Sequence, residues 1–371
     1  MQIKTNCTNL LDKLSVVEKA LPGRMSMPAI DGIYLKKDND NLVLCSNDLE
    51  IAIKAVLPLE QTIGLETEEN EHTVLPRKFI QVVKQLPDAQ VEIAIEDNRA
   101  EIRSGQSKFT LMCANGDDFP EMVDSESYMT NPCIELKGAA LKELIKKTTF
   151  CVSKDVGKAA FEGVLILHDG ENKRTVCVSS DTYRLAWYEK LQIDSTESFR
   201  VLVPGRLLAE VGRIVNDDDE ITVYISDKEI IIVVGDYVIS LRLLIERYPD
   251  MAKVIPEQAK THVKVNRQDF MDMVNRAELL ASGYNRMFGV SIANGCLKAN
   301  ASSEMGKMDE EAPAEVSGDD LGQVLLNAKY MLDGLKAFDG DDLTIEFNGA
   351  VGPVVMKNEG FKYLVLPIKK D

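Results

Sequence analysis

The sequence has little of what soluble enzymes use for chemistry. It contains three histidines, His72, His168 and His262, each in a polar turn-like or linker-like setting with no nucleophile pattern beside it. A Ser/His/Asp or Cys/His centre needs nucleophile, base and orienting group together, and the sequence offers no support for one. It has no GxGxxG followed by a helix, no GxxxxGK[ST] and no HExxH, so the common dinucleotide, nucleotide and zinc-protease signatures are absent. Its seven cysteines are an odd set without CxxC or close Cys/His spacing, which argues against a disulfide framework and a zinc site. They are expected to be buried thiols, and no catalytic residue, metal or cofactor is expected.

Long apolar runs are also missing. None approaches the roughly 20 residues that a membrane helix needs, and the opening MQIKTNC reads as a strand, so a cytoplasmic protein is expected. Cationic charge is scarce overall: 43 Lys and Arg stand against 60 Asp and Glu, a net charge of −17. Taken as an average, that balance disfavours a nucleic-acid partner.

What the sequence does have is a message said three times. VLPRKFIQVVKQLPDAQVEIAIED from Val74 recurs loosely as VLVPGRLLAEVGRIVNDDDEITVYISD from Val201 and as VLLNAKYMLDGLKAFDGDDLTIEFNG from Val324. Each copy reads as helix, acidic turn and strand. The strands alternate strictly: Val91, Ile93, Ile95; Ile221, Val223, Ile225; Leu343, Ile345, Phe347. Upstream, GIYLKKDNDNLVLCSNDLEIAI from Gly32 parallels GVLILHDGENKRTVCVSSDTYRLAWY from Gly163 and, more weakly, GVSIANGCLKANASS from Gly289. Leu11, Leu141 and Met271 mark three opening helices at intervals of 130 residues. A period this long means duplicated domains rather than a solenoid. The expected units are residues 1–124, 130–252 and 260–371, with polar linkers at Asp124–Cys133 and Met251–His262.

Charge is unevenly spread over those repeats. The six helices predicted at Thr8–Ala20, Pro76–Leu86, Gly138–Thr149, Pro204–Ile214, Asn266–Leu280 and Asn327–Ala337 together carry +6 of a chain total of −17, leaving −23 elsewhere. Phe79, Val82, Val83 and Leu86 take the core face of the second helix, which leaves Arg77, Gln81 and Lys84 opposite. Leu141, Leu144, Ile145 and Thr148 do the same in the third, turning Lys142 and Lys146 away; Leu207, Val211 and Ile214 do so in the fourth, with Arg206 and Arg213 on the other side. On any one helix such residues read equally as a solvated face. Their recurrence against an acidic background points to phosphate. The acidic run Asp217, Asp218, Asp219 and Glu220 could suggest a divalent cation, but its counterparts at Pro87–Gln90 and Asp339–Asp342 occupy the same helix-to-strand turn, where Asp and Gly are locally favoured.

Three further motifs carry a resemblance. SSDTYRLA at Ser179–Ala186, RYPDMAKVIP at Arg247–Pro256 and YLVLPIKKD at Tyr363–Asp371 are similar to the signature segments of the bacterial DNA polymerase III beta subunit family, the sliding clamps. GRMSMPAI from Gly23, VLPRKF from Val74, SGQSKFTL from Ser104 and DDFPE from Asp117 support it, and the likeness runs through the whole chain in order.

The resemblance implies an α+β fold of three tandem clamp-type domains, each with two helices on one side and antiparallel sheets on the other. Two chains would close head to tail into a six-domain ring around duplex DNA. A ring that slides needs phosphate attraction without base contacts, and the candidates are Arg24, Arg77, Lys84, Lys142, Lys146, Lys154, Lys158, Arg206 and Arg213. Phe109 and Leu111 would pack against Leu279 and Leu280 of the second copy; the alternative is that these four belong to their own domain cores.

The implied peptide pocket comprises Phe161, Ser180, Thr182, Tyr183, Arg184, Leu185, Pro249, Lys253, Val254, Val351, Pro353, Leu364, Val365, Leu366, Pro367 and Ile368. Its aliphatic floor would hold leucine or phenylalanine side chains while Arg184 and polar rim groups orient the peptide. Taken alone, Leu364–Leu366 reads as an ordinary buried strand. The expected partners are double-stranded DNA without sequence preference, a second copy of the chain, and polymerase, clamp-loader and repair proteins through short peptides; no membrane is involved. Where many family members have glycine before the arginine of RYPD, this chain has LLIE, and it ends in a charged Lys369, Lys370 and Asp371 tail. The alternatives are a scaffold that uses only the pocket and never encloses DNA, and a hydrolase built on Ser179–Asp181.

Overall fold

The computed structural model describes the chain apart from residues 24–26, 28, 60–71, 88, 122–124, 156, 282, 284, 285, 370 and 371. The six expected helices are present as α1 (Cys7–Val17), α2 (Lys78–Val83), α3 (Gly138–Thr148), α4 (Gly205–Gly212), α5 (Arg267–Leu280) and α6 (Ala328–Ala337). Helix α2 is shorter than its apolar pattern suggests. Pro87 follows Leu86 and disfavours helical geometry at that residue, so the segment from Lys84 closes in turns after Val83. Asn6, Asn266 and Asn327 cap α1, α5 and α6, their side-chain oxygens accepting backbone N–H groups of Thr8, Asp269 and Tyr330 at 2.8, 3.1 and 3.0 Å.

The repeat is visible in individual hydrogen bonds. The first N–H of α1, α3 and α5 donates to the last carbonyl of the acidic turn of the same repeat: Cys7 to Ala89 at 2.7 Å, Gly138 to Asp219 at 2.8 Å, Arg267 to Asp341 at 2.7 Å. The strand that follows each turn pairs antiparallel with the strand opening that repeat, matching Thr5 with Val91, Leu136 with Ile221 and Val265 with Leu343. Close approach decides one residue here, since a Cβ on Gly138 would lie 1.8 Å from the Asn216 carbonyl oxygen. The acidic runs thus lie between helix and strand, with Asp219 accepting from the Asn216 N–H at 2.7 Å and Glu220 and Asp342 opening the strands that follow; Asp88 lies outside the described residues. Among the described residues no group of three or more His, Cys, Asp or Glu side chains is placed to hold a metal.

The chain forms two compact units, Met1–Ala139 with Glu210–Leu243, and Ala140–Ala209 with Leu244–Asp371. Each holds one four-stranded and one nine-stranded antiparallel sheet. Strand pairing between successive repeats builds the long sheets. In the first unit Tyr237–Arg242 pairs with Ile51–Pro58, matching Ile239 with Ile53; in the second, Phe361–Val365 pairs with Arg184–Tyr188, matching Leu364 with Leu185. These pairings satisfy edges that would otherwise expose backbone donors and acceptors. The alternating strand residues are buried on one face as expected, Val91, Ile93, Ile221, Leu343 and Ile345 at 1% exposure or less, although Ile95 is only half-buried.

None of the seven cysteines forms a disulfide, but only Cys45, Cys151 and Cys177 are buried; Cys133 is exposed, because it opens a strand on its solvent face. Burial pushes the Cys45 thiol up to about 12. No helix of the described residues is long and apolar enough to cross a membrane.

Among the described residues, Lys147 is a buried helix cation, at 2% exposure, that the apolar pattern did not anticipate. It points inward from α3, donates to the Ala337 carbonyl at 2.6 Å, pairs with Asp339 and lies 5.1 Å from the centre of the Phe361 ring. Lys146 reaches the same carboxylate at 2.6 Å. Burial alone would raise the Asp339 carboxyl, but the hydrogen bonds from Lys146 and Lys147 outweigh it and hold the group below the usual range. A depressed folded value gives stability that is full above the unfolded value near 4 and is lost as pH falls through the folded one. Urea unfolding followed from pH 6 to pH 2 is therefore expected to show a smaller acid loss in Asp339→Asn than in the parent chain. Equal losses would remove this pair from the acid response.

Candidate functional site

The second unit contains a tight turn at Ser179–Arg184, organised by one carboxylate. Asp181 Oδ1 accepts the N–H groups of Tyr183 and Arg184, each at 3.0 Å, and Asp181 Oδ2 accepts from Arg184 Nε at 2.9 Å. The Ser180 hydroxyl donates to the Arg184 carbonyl at 2.7 Å and accepts the Thr182 N–H at 3.1 Å. Ser179 donates to the Thr148 carbonyl at 2.7 Å. Both serines are buried with their protons committed to backbone carbonyls, an arrangement that builds a turn rather than activating a nucleophile. Thr182 sits at φ +79°, a left-handed conformation that only a well-anchored non-glycine residue holds.

The anchor is Arg184, whose side chain is 8% exposed. Besides Asp181 it donates to Asp333 Oδ2 on α6 at 2.8 Å and to the Phe150 carbonyl at 3.0 Å, and its guanidinium stacks over the Tyr330 ring at 4.2 Å. Its fork is thus spent inside the protein, beneath the turn. Asp333, Tyr330 and Phe150 were missed by sequence reasoning, since nothing in a helix-facing Asp or Tyr marks it as the support of a turn some 150 residues earlier.

Above the anchor lies an apolar floor. Leu185, Leu364, Val355, Val178, Val176, Leu165, Leu202 and Tyr248 pack as one cluster, with Phe161, Trp187, Leu244, Met251 and Ile255 against it. Phe161 meets the Tyr248 ring edge-on at 5.4 Å. The Leu366 N–H donates to the Tyr183 carbonyl at 2.9 Å, setting these two exposed apolar side chains side by side at 39% and 56% exposure. Val365 pairs with Arg184 on one side and Val354 on the other, next to Pro353; Val365 and Leu364 are fully buried. Pro249, Lys253 and Val254 lie on the exposed segment that carries Tyr248 and Met251 onto the cluster, and Lys253 pairs with Asp250 at 3.3 Å. The Ile368 N–H donates to the Leu325 carbonyl at 2.7 Å, and Pro367 is half-buried between Leu366 and Ile368. Val351 is 76% exposed.

The first unit repeats the turn and holds an apolar cluster of Ile30, Tyr34, Cys45, Val74 and Phe119, but the strand pair beside the turn differs. Asp48 Oδ1 accepts the N–H groups of Glu50 and Ile51 at 2.9 and 2.8 Å, Leu49 stands at φ +73°, and the Arg242 N–H donates to the Glu50 carbonyl at 2.9 Å, just as Leu366 does to Tyr183. Where the second unit has the Leu185–Leu364 pair, the first has Ala52–Ser240, and Ser240 donates to Glu229, which also accepts from Tyr128. The second unit's cluster offers an apolar peptide the Leu185–Leu364 aliphatic pair, which the smaller cluster of the first unit lacks.

The cationic candidates are distributed as follows. Arg77, at the start of α2, is held by Asp31 and the Pro22 carbonyl. Lys84 reaches Glu18 at 3.2 Å, Arg213 pairs with Glu210, and Lys146 with Asp339. Lys154 and Arg206 are exposed and Lys142 half-buried. Arg24 lies outside the described residues. Lys158 donates to Thr182 Oγ1 at 2.9 Å with its ammonium 5.1 Å from the centre of the Tyr183 ring. Of the four candidate interface residues, Phe109 (36% exposed) and Leu111 lie on the edge strand Ser107–Met112, and Leu279 (76% exposed) and Leu280 end α5.

The histidines have structural partners: His72 with Asp117 at 2.7 Å, His168 with Thr175 Oγ1 and the Ser195 carbonyl at 3.0 Å each, and His262 with Glu346 at 3.1 Å.

Three family models cover the chain in order: the N-terminal, central and C-terminal domains of the DNA polymerase III beta subunit match residues 1–123, 135–250 and 252–369. This chain belongs to the DNA polymerase III beta subunit family. The beta sliding clamps of Staphylococcus epidermidis and Bacillus subtilis are 31% and 30% identical to it, each over 97% of both chains. The crystal structure of the Bacillus subtilis sliding clamp superposes with a TM-score of 0.93 at 28% identity, covering all of both chains. That of a putative beta subunit from Eubacterium rectale gives 0.92 at 25%. As a member of the beta subunit family the chain is a DNA sliding clamp of three clamp-type α+β domains. Agreement over the whole length favours that function over a scaffold that uses the pocket alone.

Proposed function

We propose that two copies of the chain close head to tail into a ring that encircles duplex DNA, tethers a replicative polymerase, and performs no chemistry of its own. The observation that carries this reading is the unbroken match of three successive repeats to sliding clamps over almost the full length. In it, residues 1–124, 130–252 and 260–371 are the three domains of each protomer, and the cationic helix residues face phosphates. Ser107–Met112, with Phe109 and Leu111, pairs across the interface with the partner's third domain near its residues Leu279 and Leu280. A tether of this kind raises the local concentration of a bound polymerase without adding catalytic contacts. The protein would act in the cytoplasm, where the chromosome is.

Light scattering combined with retention on nicked circular and linearised DNA tests the ring. A dimer held on circles and lost from linear ends is expected, because charge attraction alone does not distinguish the two. A monomer, or equal retention on both, would sink the topological reading.

The turn and floor of the second unit are proposed to receive short apolar peptides from the polymerase, the clamp loader and repair proteins. Trp187 is the chain's single tryptophan and packs against the cluster containing Leu185 and Leu364. Titration with a peptide carrying leucine and phenylalanine anchors is expected to change its emission in a saturable way. Binding seen by calorimetry with no change in emission would place the peptide elsewhere.

A further inference from the structure

Among the described residues, exposed apolar side chains mark one edge of each four-stranded sheet. Phe109 and Met112 lie on the edge strand Ser107–Met112, and Met305 in the turn before the edge strand Gly306–Pro313, the two methionines at 65% and 84% exposure. Pairing inside the chain shows what such edges meet. Each repeat carries an apolar row across its strands: Ile3, Ile93, Ile102 and Phe109; Ile134, Val223, Ile232 and Ile239; Val263, Ile345, Met356 and Tyr363. The second row continues from Ile239 onto Ile53, and the third from Tyr363 onto Ala186. The first stops at the edge, at Phe109.

The two continued rows share one register. The N–H three residues beyond the row donates to a turn carbonyl, Arg242 to Glu50 and Leu366 to Tyr183, each at 2.9 Å. Each of those turn residues gives its own N–H to a side chain two positions earlier, Glu50 to Asp48 and Tyr183 to Asp181. Met305 is their counterpart in the third repeat, its N–H donating to Ser303 Oγ at 3.3 Å, and Met112 follows Phe109 by three residues. Carried to the seam between two copies, this register sets Phe109 opposite the partner's Met308, Lys108 opposite the partner's Asp309, and Met112 beside the partner's Met305. Apolar meets apolar there, and cation meets carboxylate.

Resting on the ring reading, we propose that Met112 and the partner's Met305 form an apolar latch at each seam and are a modification site at which a hydroperoxide loosens ring closure. The thioether sulfur takes one oxygen from hydrogen peroxide: the O–O bond breaks, an S–O bond forms, methionine is oxidised to its sulfoxide and the peroxide leaves as water. A flexible apolar side chain becomes polar, which weakens the contact where two such chains meet. Leu366 and Tyr183, the corresponding pair inside the chain, keep 39% and 56% exposure, so a pair placed in this way stays within reach of a small oxidant when the ring is closed.

The experiment uses the full chain, its Met112→Leu/Met305→Leu variant and, as a control, Met27→Leu/Met129→Leu, which removes two other exposed methionines. Each is treated with hydrogen peroxide and then with a thiol to reverse cysteine oxidation. Sulfoxides are located by mass spectrometry, the dimer constant is read by sedimentation against the untreated sample, and circular dichroism confirms that each protein stays folded. Dimers of the parent and of the control are expected to weaken about tenfold, and methionine sulfoxide reductase to restore them. The Met112→Leu/Met305→Leu dimer should change by less than about twofold. An unchanged dimer in a parent oxidised at both residues overturns the inference and leaves the ring standing. An equal loss in Met112→Leu/Met305→Leu overturns the assignment to this pair. If the untreated chain is a monomer, the ring reading fails and this inference fails with it.

Discussion

Arg184→Met is expected to destabilise the second unit by about 3 kcal/mol, and to abolish peptide binding as well. The substitution keeps most of the aliphatic bulk but removes the cation shared by Asp181 and Asp333, whose side chains are 12% and 25% exposed. Taking away one partner of a buried ion pair leaves an uncompensated charge, and losses of roughly 3–5 kcal/mol are typical; partial exposure of Asp333 sets the lower end. The turn would suffer with it, because Thr182 holds its left-handed conformation only while Asp181 and Ser180 stay bound to the Arg184 backbone and side chain. Arg184→Lys restores charge but not the divergent hydrogen bonds to Asp181, Asp333 and the Phe150 carbonyl, so it should recover only part of the loss. Urea unfolding combined with the peptide titration checks both effects. A stable Arg184→Met variant with normal affinity would show that the guanidinium supports neither the fold nor the turn.

Combined replacement of Lys142, Lys146 and Arg206 by alanine is expected to weaken attraction to duplex DNA without touching the peptide. Every phosphate left without its cation should make the slope of log affinity against log salt shallower by about 0.9, hence roughly 3 for the three side chains of one protomer. Lys146 has a carboxylate partner in Asp339, but with the two side chains 49% and 57% exposed the pair is weak enough for a phosphate to displace it. Equilibrium binding of linear duplex across a salt series reads the slope directly. An unchanged slope would mean that these helices do not meet the phosphates.

The repeat, the six helices and the alternating strands were legible in the sequence because each follows from local periodicity. The turn at Ser179–Arg184 was visible as a motif, since Asp181 acts on residues two and three positions later. The role of Arg184 was not. As a basic residue in a proposed pocket it reads as a rim group, and only packing against Asp333, Tyr330 and the Phe150 carbonyl turns it into the buried support of the turn. Lys147 and Lys158 show the same limit. One is a helix cation that packing draws into the interior, and the other a candidate phosphate ligand that the fold sets beside Tyr183.

The sequence by itself determined the threefold repeat, the helix and strand order, the family and the segregation of charge, because these are written in spacing and composition. The tertiary structure decided where each cation goes and why the same turn, present in both units, stands beside a leucine pair in only one. Leu185 meets Leu364 in one long sheet, while Ala52 meets Ser240 in the other. Those partners are brought together by strand pairing between repeats, an interaction between residues far apart in the chain that no local pattern records.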